Sequence, residues 1–371
     1  MIGMVFAFRI LFSLAAIVFA QAATASIFPN NTLASVAAAA TNDVWAVGSS
    51  FSTSASQGLI EHWDGSSWKV VPNANPGGNF YGLNGVAAVS TNDIWAVGYS
   101  RATASAPIQT LIEHWNGIAW SITPSPSRST NISELFGVTP ISSGNIWAVG
   151  YSGDQNTVTY QTLVEHWDGL QWQIVSSPNS GVTTRLSSVS SASANDIWAV
   201  GWAKRTTRSG IYPVTEHWDG SSWSLVANSG TAGGVEWEQG IVALAKNDAW
   251  FVGTYSANHW NGSAWNAVTI PNVYSLIVGL TTSSSSDIWA VGREYINTSN
   301  TYITLIEHWD GSQWSIAASP SPGAAFNKLY GAATAARNDV WAVGTYADTS
   351  GNYQTLSEHW NGSNWSVVPT P

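Results

Sequence analysis

The sequence predicts an all-β chain folded as a seven-bladed β-propeller with four antiparallel strands per blade. Three observations predict it. All seven histidines (His62, His114, His166, His217, His259, His308 and His359) are followed by Trp, then Asp or Asn, then Gly, with another Trp six residues after the His. An aromatic segment such as DVWAVG at 43–48 or DIWAVG at 93–98 precedes each motif, so one unit of about 50 residues, used seven times, holds 21 of the 23 tryptophans. The spacings inside the unit divide into fixed and variable. The opening apolar residue lies nine residues before the first Trp in every copy (Val36 to Trp45, Val86 to Trp95), whereas Gly to His ranges from 6 to 16. Repetition at this length marks stacked supersecondary units. Fixed intervals mark packed turns, and variable ones mark loops that tolerate insertion.

Each element follows from local chemistry, shown by the second copy. Residues 83–89 (LNGVAAV) read as strand A, and STND at 90–93 as its turn, since Asn and Asp bond their own backbone. IWAVG at 94–98 is strand B, and TLIEHW at 110–115 is strand C. NG at 116–117 opens a hairpin that accepts positive φ, and WSIT at 120–123 is strand D. Branched and aromatic residues fill these runs. No run after residue 22 carries a 3.6-residue apolar period. The expected blades are 33–72, 83–124, 135–177, 186–227, 238–269, 277–318 and 329–369, within one domain spanning 23–371. A blade cannot bury both faces alone, but neighbours cover each other. Each Trp buries about 150–250 Å², worth about 4–6 kcal/mol, against which chain entropy of similar total size acts.

Residues 1–22 read as a secretory signal: Arg9 precedes the apolar run Ile10–Ala20, and Ala20-Gln21-Ala22 fits a small-x-small cleavage site. No later segment reads as a membrane span, so the mature chain is expected to be secreted or at the cell surface. The absence of cysteine excludes disulfides. Of 22 acidic residues, 16 occupy repeated slots, which makes the net charge of −10 a property of the scaffold. There is no basic stripe of the kind phosphate binding needs, so nucleic acid is not an expected partner.

Residues 43–48 together with 61–68 resemble the Kelch repeat family: apolar strand, aromatic strand ending in Gly, a strand with an aromatic, then Trp about six residues on. The pair at the end of strand B is Val47-Gly48 here, where Kelch repeats carry two glycines. DGSSW at 64–68 is similar to the Asp-box turn of sialidase-type propellers, with Asp and Gly adjacent rather than spaced by one. The short fifth repeat resembles the tandem repeats of secreted bacterial propellers. These resemblances imply a propeller and no single activity. Galactose oxidase, related to Kelch propellers, relies on a copper site with a Tyr–Cys cross-link, which a chain without cysteine excludes. Sialidases use three clustered arginines, and the seven of the mature chain are scattered.

Glu61 and His62 are adjacent in a strand and therefore face different neighbouring blades. The seven histidines are read as structural, each bonding across a blade interface to Glu or backbone, because metal sites need three or four converging ligands. The A–B turn residues Asp43, Asp93, Asp196, Asp248, Asp287 and Asp339, with Asn145 in repeat three, are read as turn formers. No catalytic residue, metal site or cofactor is expected. The departures from the repeat point to binding instead. Trp202, Lys204, Arg205 and Arg208 are expected to rise from a long B–C loop, Glu236, Trp237 and Glu238 to lie on the next D–A segment, and Arg293, Glu294 and Tyr295 to lead the sixth B–C loop. The short connection at 254–257 should leave a notch between them. Tyr, Trp and Arg dominate binding hot spots. The expected function is a non-catalytic binding propeller whose B–C/D–A face takes an extracellular glycan, or next a protein. The alternatives are a glycan-active hydrolase or lyase at the channel mouth, and a passive surface or matrix module.

Overall fold

The structure is a computed structural model that describes residues 28–128, 131–154, 156–206, 210–228, 240–253, 256–271 and 275–371. The expected signal at 1–22 lies outside these residues. So do Arg208, Glu236, Trp237 and Glu238.

Among the described residues there are strands and no helix. Seven successive four-stranded antiparallel meanders follow the expected order. In the first, the strands are Asn30–Ala40, Asp43–Phe51, Ser56–Trp63 and Trp68–Val70. A single parallel bridge, Ser56 to Phe80, joins the first two meanders into one sheet. The A strands are Asn30–Ala40, Phe80–Ser90, Ile132–Ser142, Thr183–Ser193, Gly240–Ala245, Ser275–Ser284 and Asn327–Ala336. Each touches the next, and the last touches the first, so the A strands line a ring.

Side-chain packing closes that ring together with hydrogen bonds from Thr345 Oγ1 to the Asn31 carbonyl at 3.3 Å and from the Tyr353 N–H to Asn30 Oδ1 at 3.0 Å. Trp45 of unit one meets Trp115 and Trp120 of unit two, at 4.9 and 5.5 Å between ring centroids. The same trio recurs at every interface, ending where Trp341 of unit seven meets Trp63 and Trp68 of unit one at 4.9 and 5.3 Å. The core that joins units seven and one also holds Leu33, Val36, Val44, Ala333 and Val343. In all seven D strands the indole N–H (Trp68, Trp120, Trp172, Trp223, Trp265, Trp314, Trp365) is buried without an oxygen acceptor. Each of these rings stands edge-on to the B-strand Trp of the preceding unit, as Trp120 does to Trp45 at 75°. Such edge-to-face contacts let a ring N–H point at a π face.

The Glu–His pair does face opposite neighbours, but the expected bonding partner of His is wrong. His62 Nε2 lies 2.7 Å from Oδ1 of Asp43 in its own A–B turn, and that oxygen also accepts the Trp45 indole N–H at 2.8 Å. The imidazole stacks on the Trp45 ring at 4.1 Å. The turn residue is thus more than a turn former: it fixes a His–Trp stack. His pairs with this residue in all seven units, with Asn145 serving His166 at 2.9 Å. The cross-strand register that sets Trp45 opposite His62 places both on one face next to the turn, within reach of Asp43.

Glutamate, not histidine, reaches across the interface. Glu113 Oε2 accepts the backbone N–H of Ala74 (3.1 Å), and Glu165 Oε2 accepts the Ser125 hydroxyl (2.7 Å), both from the D–A connection of the preceding unit. Glu61, Glu113, Glu165, Glu216, Glu307 and Glu358 are at most 1% exposed. Burial pushes Glu61, Glu165 and Glu216 up to about 8 and Glu113 to about 7, because desolvation penalises the charged form.

Two glycines show why the repeat reads as it does. The turn glycine after His-Trp-Asp/Asn needs positive φ, 91° at Gly65, and Asp64 Oδ1 accepts both following backbone N–H groups at 3.0 Å. The Val-Gly glycine of strand B answers a different constraint. A Cβ on Gly98 would sit 2.0 Å from the Gly82 carbonyl oxygen, because strand A bulges beside it between Leu83 and Gly85. That bulge recurs between Leu33 and Ser35, Leu135 and Gly137, Leu186 and Ser188, Ile277 and Gly279, and Leu329 and Gly331.

Candidate functional site

A bulge leaves one residue per A strand without a ladder partner and re-aims its side chain. These residues are Ala34, Asn84, Phe136, Ser187, Val278 and Tyr330, and all six line one cavity of about 580 Å³ along the axis of the ring. The seventh equivalent, Gln239, lies outside the described residues. The lining draws on the first halves of the A strands, where Asn30 pairs with Phe51. The cavity therefore lies nearer the B–C/D–A end, and the His–Asp turns sit at the other end.

The scaffold repeats sevenfold and this wall does not. Arg185 stands where units one and two have Thr32 and Gly82, one position before Leu186. Its guanidinium carbon sits 3.8 Å over the Tyr151 ring, 4.0 Å over Tyr160 and 5.2 Å over Trp202. Glu134, in the equivalent slot of unit three, accepts the Tyr151 hydroxyl at 2.8 Å and the Asn84 amide at 3.1 Å. Desolvation raises the pKa of Glu134, and the two hydrogen bonds and the Arg185 charge act against the rise. Desolvation and the neighbouring carboxylate also push the Tyr151 phenol up.

The structure relocates the sequence-expected residues. Trp202 and Lys204 do not rise from a loop; they belong to strand B of unit four, Asp196–Lys204. Trp202 pairs across to Arg185, is 2% exposed, and lines the cavity. Arg293, Glu294 and Tyr295 likewise lie inside strand B of unit six, Asp287–Ile296. Strand B continues past its glycine because the long hairpin keeps pairing, Trp202 with Pro213 and Arg293 with Thr304. Among the described candidates only Arg205 is in a connection, its guanidinium 5.0 Å over Tyr212. Arg293 packs on Tyr302 and Phe326 at 4.4 and 5.6 Å, and Tyr295 donates to Asn300 at 2.7 Å. Arg205 and Arg293 have separate aromatic partners. Thr254 and Tyr255, on which the expected notch depends, lie outside the described residues. Tyr81, Tyr151 and Tyr160 lie inside strands and are 3 to 6% exposed.

Sequence reasoning missed Asn84, Phe136, Arg185 and Tyr330. The signal was present two and four residues before each opening apolar residue, where spacing is fixed but residue type changes from copy to copy.

No family model matches the chain, and no curated protein does. Solved structures do match. YCF48 bound to a D1 peptide is 13% identical with a TM-score of 0.55, over 85% of this chain and 92% of that one. A protein of unknown function from Dyadobacter fermentans is 11% identical at 0.53, over 78% and 97%. Sqt1 from Chaetomium thermophilum, bound to the N-terminus of ribosomal protein L10, is 12% identical at 0.52, over 92% and 87%. At these identities the likeness establishes the fold, a β-propeller, and nothing further.

Proposed function

We propose that this chain is a secreted, seven-bladed, Kelch-like propeller that acts as a non-catalytic binding module, taking a glycan ligand at the B–C/D–A end of its channel. One observation carries the reading. Seven near-identical units surround a cavity of about 580 Å³, yet its wall presents Asn84, Phe136, Arg185, Trp202 and Tyr330, a set that follows no repeat. A cavity of this size with aromatic walls and a few polar groups is what small-ligand sites require. Half-buried rings such as Phe136 and Tyr330 suit stacking on sugar faces, and Asn84 and Arg185 suit their hydroxyls. The non-catalytic part rests on the histidines, all held by turn residues at 2.6 to 3.0 Å at the opposite end.

The test is a glycan array probed with the purified protein, followed by affinity measurements on variants. Phe136→Ala and Tyr330→Ala should each weaken binding about tenfold, a typical hot-spot loss. Ile118→Ser and Leu170→Ser, at C–D turn tips where the native residues are 85% and 87% exposed, should leave it unchanged. Binding that is lost in the turn variants and kept in the cavity variants would place the ligand on the other face. An array blank for glycans, with a peptide library positive, would replace the glycan by a protein partner.

A further inference from the structure

The described part of the cavity wall carries one kind of charge. Among the described residues lining it, Arg185 is the only Asp, Glu, Lys, Arg or His. This stands out in a chain with 22 acidic and 12 basic residues. Tyr151, Tyr160 and Trp202 hold its guanidinium on three sides at 3.8, 4.0 and 5.2 Å. A guanidinium fixed in this way loses little further freedom when it bonds a ligand, and its planar fork matches the two oxygens of a carboxylate.

The surroundings hold charges of both signs. Glu134 is the acid nearest in sequence slot, but it is committed to Tyr151 and Asn84, and desolvation shifts it toward its neutral form. In unit seven the slot equivalent to Arg185 holds Lys328, whose Nζ lies 4.2 Å over the ring of Tyr330, and that ring lines the cavity. Two cations thus occupy equivalent slots, one on the wall and one behind an aromatic of the wall.

We propose that the channel recognises a carboxylate-bearing ligand, with Arg185 as the carboxylate-binding residue. This deepens the reading of a ligand in the channel and rests on it. A planar carboxylate fits one fork, whereas phosphate or sulfate calls for donors on several sides. The remaining polar wall, Ser187, Ser188 and the Asn84 side chain, suits the neutral part of the ligand. A sugar acid and a peptide C-terminus share this chemistry, and the experiment separates them.

Calorimetry on the full chain at fixed ionic strength would compare galacturonate and glucuronate with galactose and glucose, with the methyl ester of galacturonate, with N-acetylglycine and with inorganic sulfate. The acids should bind at least about tenfold more tightly than their neutral parents and the ester. The difference should shrink as NaCl is raised, and Arg185→Lys should reduce it. Sugar acids tighter than N-acetylglycine identify a glycan source, and the reverse order a peptide source; both support the proposal. Neutral sugars bound as tightly as acids would overturn it while leaving the binding-module reading intact. Sulfate bound as tightly as the acids, or no acid bound at all, would also overturn it. If Arg185→Lys does not fold, the comparison of galacturonate with its ester in the wild type decides the matter.

Discussion

Glu165 makes acidity a stabilising condition for this fold. Its carboxyl is fully buried between units two and three, accepts one hydrogen bond from Ser125 at 2.7 Å, and has its pKa raised from 4.5 to about 8. Between those two values the folded chain holds a proton that the unfolded chain has released. The raised pKa therefore contributes stability that is fully present below 4.5 and is lost as pH rises through about 8. The slope in that window is about 1.4 kcal/mol per pH unit for one such group. Glu61, Glu113 and Glu216 act in the same direction, so the wild type should unfold more easily at each step from pH 5 to pH 8. The sharp test is Glu165→Gln, which keeps the shape and removes the titration. The fold already accepts a neutral amide in this slot, because Asn258 stands there in unit five at 1% exposure. Urea unfolding at pH 5, 6, 7 and 8 should show the variant gaining on the wild type by about 1.4 kcal/mol per pH unit, with the m-value unchanged. Parallel pH curves for the two proteins would refute the reasoning, since they would mean that Glu165 ionises in the folded ring as it does in water.

Two further outcomes follow from the repeat itself. Gly98→Ala should destabilise by more than about 3 kcal/mol, measured by urea unfolding, because its Cβ would meet the Gly82 carbonyl oxygen at 2.0 Å and strand A cannot move without losing its bulge. A change under 0.5 kcal/mol would show that the bulge yields. Asn145→Asp should give His166, whose pKa is now lowered by desolvation, the anionic partner that the other six histidines have. The His166 pKa read by NMR should rise. The variant should gain about 1 kcal/mol at pH 5.5, discounted for a half-exposed pair, and that gain should vanish as pH rises through the new pKa. An unmoved pKa would refute the pairing.

The fold was legible in the sequence because the same solution is written seven times. The Trp-x-x-Gly and His-Trp-Asp/Asn-Gly spacings place four strands, and strand alternation puts Glu61 and His62 on opposite faces before any contact is known. The partners of that pair were less legible. Alternation tells which way a side chain points, not that Asp43 swings back to hold both the imidazole and the indole. The candidate site was the least legible part. Loop composition pointed to Arg205 and Arg293, which the structure gives to separate aromatic neighbours. Asn84, Phe136, Arg185 and Tyr330 sit inside strands, within intervals so regular that they read as scaffold. What the sequence determined by itself is the unit, its strand order and its buried faces, since these depend on contacts a few residues apart. The tertiary structure alone decided that the bulges of six units turn toward one axis, and that the few that break the repeat meet there. A ring brings together positions that have no local relation, so no periodicity along the chain records their convergence.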